Sequence, residues 1–174
     1  WHAPGTKILP NGKMHGMGFV HMLAWQGWAW AAPVPIGIMF RMDGTVSIIA
    51  RHADMGVGNE TGCCQVAADE LGMKFEDVNF NYFDDVGNDA QAPNGSHNAM
   101  ANFMAVAYSA RKAKQKLLEM AVSPVYFWWY PGPPIIPDIK VEDLDIEDSF
   151  IYEKANPTNR WPVGEITLAH WGAW

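Results

Sequence analysis

Residues 34–42, Val-Pro-Ile-Gly-Ile-Met-Phe-Arg-Met, and residues 45–51, Thr-Val-Ser-Ile-Ile-Ala-Arg, are two apolar, β-branched runs separated only by Asp43-Gly44. Each run has strand composition, and Asp-Gly is a preferred two-residue hairpin turn. A helix is expected next, over residues 59–71. Asn59 is its expected N-cap, Glu60 lies in its first turn and Gly72 ends it. Its apolar side chains Cys63, Val66, Ala67 and Leu71 fall on one face. Residues 77–83, Asp-Val-Asn-Phe-Asn-Tyr-Phe, alternate polar and apolar for most of their length and predict a third strand. Strand, turn, strand, helix and strand together give an α+β domain, a mixed sheet packed with two main helices.

The second helix is expected over about 98–121. Met100, Phe103, Met104, Ala107, Ala110 and Leu117-Leu118 are its main apolar positions, and Arg111, Lys112, Lys114 and Lys116 supply its solvated surface. A loop rich in Asp, Asn, Gly and Pro (84–96) leads into it. Residues 1–18, with many Gly and Pro, predict an extended lead-in, and the aromatic stretch 19–32 a strand and loop. Five prolines within 123–138 forbid a regular helix or a central strand there. That stretch is apolar where a linker would be polar, so it is expected to lie as a strap over a surface. From 141 two short strands round a turn are expected, then a helix starting near Val163. The division is therefore an α+β domain over 1–122, the strap over 123–140, and a strand–turn–strand and helix continuation over 141–174.

Charged residues are 18% of the 174, below the usual ~25%, and nine are Trp. Few charges and many large aromatics predict a surface covered by other subunits. The net charge of −7 and the lack of a basic run exclude a nucleic-acid partner. No apolar run reaches the ~18 residues of a membrane span, and no signal peptide is visible. The chain starts at Trp1, as a processed chain or a segment of a longer one would. The cysteines are adjacent, Cys63 and Cys64. Two cannot ligate an iron–sulfur cluster, which needs about four protein ligands. The histidines, among them His15, His21, His52, His97 and His170, lack metal-ligand spacing, so no metal-ligating residue is expected.

Three ordered blocks carry a resemblance. Asp43 to Ile49 leads into Asp54-Met55-Gly56-Val57-Gly58-Asn59-Glu60-Thr61, then Gln65 to Gly72. Pro93-Asn94-Gly95-Ser96-His97-Asn98 opens the long helix. Val141 to Ile146 runs on to Pro162-Val163-Gly164-Glu165-Ile166. This pattern resembles the molybdopterin-binding subunit of the xanthine oxidase and aldehyde oxidase family. The resemblance implies cofactor contacts at Met55, Gly56, Val57, Gly58, Thr61, Ser96, His97, Asn98 and Ala101. Glycines let backbone approach a ligand, and the free N–H groups of a helix start favour a phosphate or pterin oxygen.

The resemblance further implies a molybdopterin, possible also as its cytosine dinucleotide, whose dithiolene and no protein side chain holds the molybdenum. It implies hydroxylation with water as the oxygen source, in the cytoplasm. FAD and iron–sulfur clusters are expected on partner subunits, and a companion chain completes the molybdenum subunit. A small hydrophobic organic molecule is the expected substrate. Two departures stand out. The family's Gln between the glycines is Val57, which cannot donate. The late Gly-Glu of the catalytic base is missing unless Gly164-Glu165 supplies it. A surface-helix position, where an acid favours the dipole, is the preferred reading of Glu165, so the catalytic residue stays unassigned. Two alternatives remain open: hydration or reductive dehydroxylation at the same cofactor, and a cofactor-free structural subunit.

Overall fold

The computed structural model describes residues 2–3, 5–20, 34–50, 55–82, 97–127 and 130–170. In chain order its elements are strands Lys7–Ile8 (β1), Met14–His15 (β2), Ile36–Phe40 (β3) and Val46–Ala50 (β4), helix Asn59–Leu71 (α1), strand Val78–Tyr82 (β5) and helix His97–Ala121 (α2). Strands Val125–Phe127 (β6), Tyr130–Gly132 (β7), Leu144–Glu147 (β8), Phe150–Glu153 (β9) and Asn156–Pro162 (β10) follow, then helix Val163–Ala169 (α3). Trp25, Trp28, Trp30, Trp128 and Trp129, and the 84–96 loop, lie outside the described residues.

The central sheet has the order β3-β4-β5. β3 pairs antiparallel with β4, and β4 pairs parallel with β5 across the α1 crossover. β4 is central and so is buried on both faces: Val46, Ser47 and Ile48 are all inaccessible. The buried Ser47 hydroxyl accepts a hydrogen bond from Arg41 Nε at 2.8 Å. The β3–β4 turn differs from the expected two-residue one. The Arg41 N–H donates to Thr45 O at 2.8 Å and the Gly44 N–H to Arg41 O at 3.0 Å, with Gly44 at φ +85°. This is a three-residue loop closed by a left-handed glycine. A Cβ on Gly44 would lie 2.6 Å from the backbone nitrogen of Gly164, so the turn and the start of α3 meet backbone to backbone. Asp43 supports the loop by accepting from the Thr45 N–H and hydroxyl, and the Thr45 hydroxyl bond holds its carboxyl below the usual range.

α1 and α2 pack side by side and parallel. Gly62 abuts the Phe103 ring, and eight residues further along both helices Glu70 pairs with Arg111. Two contacts stepping in the same direction fix the mutual sense of the helices.

The second sheet has the order β10-β9-β8, all antiparallel. Its β8–β9 turn holds Asp148 and Ser149 at φ 52° and 66°. β10 is an addition to the two strands that the sequence predicts there. The proline-rich stretch also pairs, as the two-stranded β6–β7. Pro131 is tolerated because a two-stranded ribbon has only edge strands, so its missing N–H removes no central bond. The strap then returns to the core: Ile136 is fully buried and its N–H donates to Ala121 O at the end of α2. Lys7 and Ile8 pair with His15 and Met14, a hairpin within the expected extended lead-in. One buried cluster takes side chains from β4, α1, α2, the strap, β8, β9 and α3. The α+β architecture is the one the sequence predicts.

Candidate cofactor-binding site

α1 starts on glycine, and not on the asparagine cap the sequence suggests. Gly58 is the cap residue, left-handed at φ 75° and ψ 26°, with no side chain bonding to the first turn. Asn59 is instead the first helical residue and is buried, 2% exposed. The first ladder bond is Gly62 N–H to Gly58 O at 3.0 Å. The N–H groups of Asn59, Glu60 and Thr61 precede that ladder and have no carbonyl partner among the described residues.

The approach to this helix start is open. Among the described residues a Cβ on Gly56 or on Gly58 would meet nothing within 4 Å, and both residues hold positive φ. Met55 and Val57 are 63% and 67% exposed, and Thr61 is exposed on the first turn. The loop is thus a rim of backbone, shaped by two glycines with space, among the described residues, where a side chain would stand.

The parallel helices bring a second terminus to the same end. His97 and Asn98 open α2, and Ala101 is half-buried one turn on. Gly62 in the first turn of α1 meets Phe103 in the second turn of α2. Ser96 lies outside the described residues. The two candidate blocks, 35 or more residues apart in sequence, therefore stand at neighbouring helix N-termini. Parallel helices place their positive dipole ends together, an unfavourable arrangement that an anion relieves. Glu60 is the one acid in the first turn of α1, and α2 has none.

The remaining polar candidates do not join this end. Glu165 is exposed in the first turn of α3, and Gly164 before it is packed on Asp43, where a Cβ would stand 3.0 Å from the Asp43 carbonyl oxygen. The glycine of that pair is accounted for by its close packing. Burial first, then the neighbouring Cys64 and Glu60, pushes the Cys63 thiol up to about 12, and burial raises Cys64 too. Both stay protonated and inert. Among the described residues no three His, Cys, Asp or Glu side chains gather as a metal site. A groove of about 490 Å³ beside α2 is lined by charges already engaged: Arg111 with Glu70, Lys114 with Asp145, and Lys154 on the Glu142 carbonyl. Among the buried polar residues, the sequence reading missed Asn59 as a helical residue and Asn102, which is 3% exposed on α2. An asparagine on an otherwise apolar helical face was the available signal for Asn102.

Comparisons with known proteins bear on the family and the fold. Residues 6–171 match the family model of the molybdopterin cofactor-binding domain. The fold is similar to quinoline 2-oxidoreductase from Pseudomonas putida 86, with TM-score 0.60 and 21% identity over 78% of this chain and 16% of that one. It is similar to a Cu,Mo-CO dehydrogenase, TM-score 0.59 and 22% identity over 76% of this chain and 15% of that one, and equally to the reconstituted CO dehydrogenase from Oligotropha carboxidovorans. The chain thus spans about one-sixth of the length of these relatives' chains. No curated protein sequence matches it. A match over nearly the whole chain places it in a family, and the glycine loop on paired helix starts lies within that match: the chain belongs to the molybdopterin cofactor-binding domain family.

Proposed function

We propose that this chain holds the molybdopterin of a multi-subunit molybdenum hydroxylase or dehydrogenase, and that a companion chain completes the active site. The observation that carries the reading is the open Gly56–Gly58 loop on the bare start of α1, set beside the start of α2. Backbone N–H groups of Asn59, Glu60 and Thr61 are suited to a phosphate or pterin oxygen, and Gly56 and Gly58 leave the room for its approach. His97, Asn98 and Ala101 would flank it from α2, with Ser96 just before, and Thr61 adds a hydroxyl. When bound, the cofactor supplies molybdenum chemistry that hydroxylates a carbon centre with oxygen from water.

The chain's contribution is binding and orientation. No catalytic base is assigned to it, and a companion chain would bring one. Exposed Met55, Val57, Met104 and Tyr108 give apolar surface for that chain to cover. The cofactor would be molybdopterin or its cytosine dinucleotide, with FAD and iron–sulfur clusters on separate subunits, in the cytoplasm. The substrate would be a small hydrophobic molecule. A second reading, a structural subunit without cofactor, is favoured by one observation: Val57 puts an exposed isopropyl group where a donor amide would serve the cofactor.

Elemental analysis of the native complex, with mass spectrometry of every chain in it, tests the proposal. About one molybdenum per copy of this chain, with a companion lacking this domain, supports it. Molybdenum that is absent, or accounted for by another full-length subunit, overturns it and leaves the structural reading.

A further inference from the structure

We infer that the Asn59 side-chain amide is a cofactor donor, standing in for the donor missing at Val57; the inference rests on the function proposed above. Asn59 is 98% buried by its 2% exposure, yet its Nδ2 has no acceptor among the described residues. A buried amide is ordinarily paired, and one left unpaired marks a place where a partner belongs. Three facts locate that partner. Asn59 is the first residue of α1 and follows Gly58 directly. Its short side chain keeps the amide within about 4 Å of its own Cα. Helical Cα–Cβ bonds tilt towards the N-terminus, so the group leans back to the Gly56–Gly58 loop and not down the helix. The orphaned donor therefore belongs to the same helix start as the N–H groups that, among the described residues, lack a carbonyl partner.

The chemistry fits an acceptor. Nδ2 carries two hydrogens and needs an oxygen or an unprotonated ring nitrogen, which a pterin or a phosphate supplies. Val57 on the rim is hydrocarbon and provides nothing of the kind. The domain thus keeps one amide at the loop, two residues further on and inside the helix.

The test uses the complete native complex carrying Asn59→Leu, Asn59→Ala or Asn59→Leu with Val57→Gln. Two quantities are read: molybdenum per chain after exhaustive dialysis, and the melting temperature of the complex stripped of molybdenum. Loss of one donor should cut molybdenum retention about tenfold, in both single variants, while the stripped melting temperature holds or rises. Val57→Gln should restore part of the retention. If the wild type is loaded and both variants are loaded equally, Asn59 is a structural residue and the inference falls alone. It falls in the same way if only the melting temperature drops. If the wild type itself holds no molybdenum, the proposed function fails and takes the inference with it.

Discussion

The two ends of α1 carry the same backbone conformation in opposite surroundings. Gly58 at the start has φ 75° and ψ 26°, and Gly72 at the end has φ 77° and ψ 27°. Among the described residues a Cβ at Gly58 meets nothing within 4 Å, whereas at Gly72 it would run into the Ile146 carbonyl oxygen. At the far end the glycine is needed for packing. The Gly72 and Met73 N–H groups close on Ala68 O, and the β8–β9 turn docks there through the Ser149 N–H to Gly72 O. At the near end no steric contact among the described residues demands a glycine. A left-handed residue with open space at its Cβ position suits close approach by a ligand, and the contrast between the two ends makes it testable.

The largest effect is expected at the packed end. Gly72→Ala combines a left-handed strain with a collision against backbone, which cannot rotate away. It should cost at least about 4 kcal/mol, at the exceptional end of single substitutions. Urea denaturation would read this as a lost or sharply lowered transition. A melt close to wild type would show that β8 can move away and that the two ends differ less than the contacts indicate.

Ser149 comes next. Its hydroxyl accepts from the Lys74 N–H at 3.0 Å and donates to Asp77 Oδ2 at 2.5 Å, so it joins the β8–β9 turn to the segment after α1. Ser149→Ala leaves both partners short of a bond and should cost about 1–3 kcal/mol. The same urea midpoint measures it. Molybdenum content should stay unchanged, because the defect lies at the closed end.

Gly58→Ala should behave in the reverse way. Without a steric partner it carries only the left-handed penalty, about 1–2 kcal/mol. Its main effect should be on molybdenum retention, since a methyl group then stands in the approach to the helix start. Retention unchanged in a folded variant would remove Gly58 from the site and weaken the contrast at its centre.

What was legible in the sequence divides along the same line. The β3–β4 hairpin, α1, β5 and the Gly72 stop were readable because each rests on local chemistry, β-branched runs and a left-handed glycine. β10 was not. Asn-Pro-Thr-Asn-Arg-Trp-Pro has no strand composition, and it is extended because β9 offers an edge, with a register shift between Asn156 and Arg160 absorbing Pro157. The Gly56–Gly58 loop was readable as a motif. The cap was misassigned because Asn is a favoured N-cap and glycine a weaker one, which concealed Asn59 as a buried group. The parallel setting of α1 and α2, which brings Thr61 and Ala101 to neighbouring helix starts, depends on the Gly62–Phe103 and Glu70–Arg111 contacts, and no local pattern encodes those.

The smallest expected effect is electrostatic and again belongs to the closed side. Lys114 Nζ lies 2.5 Å from Asp145 Oδ1 and ties α2 to β8. Burial pushes the Asp145 carboxyl upward, but the Lys114 bond, the Ile146 N–H and the charges of Lys114 and Lys154 outweigh it, so it titrates below its ordinary value. A carboxylate with a depressed folded value stabilises the fold above its unfolded value of about 3.9, and that contribution is lost as pH falls through the lower folded one. The pair is partly exposed, with 23% and 36% of the two side chains accessible, so screening holds its worth below about 1 kcal/mol. Lys114→Met should therefore lower stability slightly at pH 7. Its urea midpoint should converge with the wild type's as pH drops below about 4. A gap that persists in acid would mean that the methylenes of Lys114, and not its charge, hold α2 to β8.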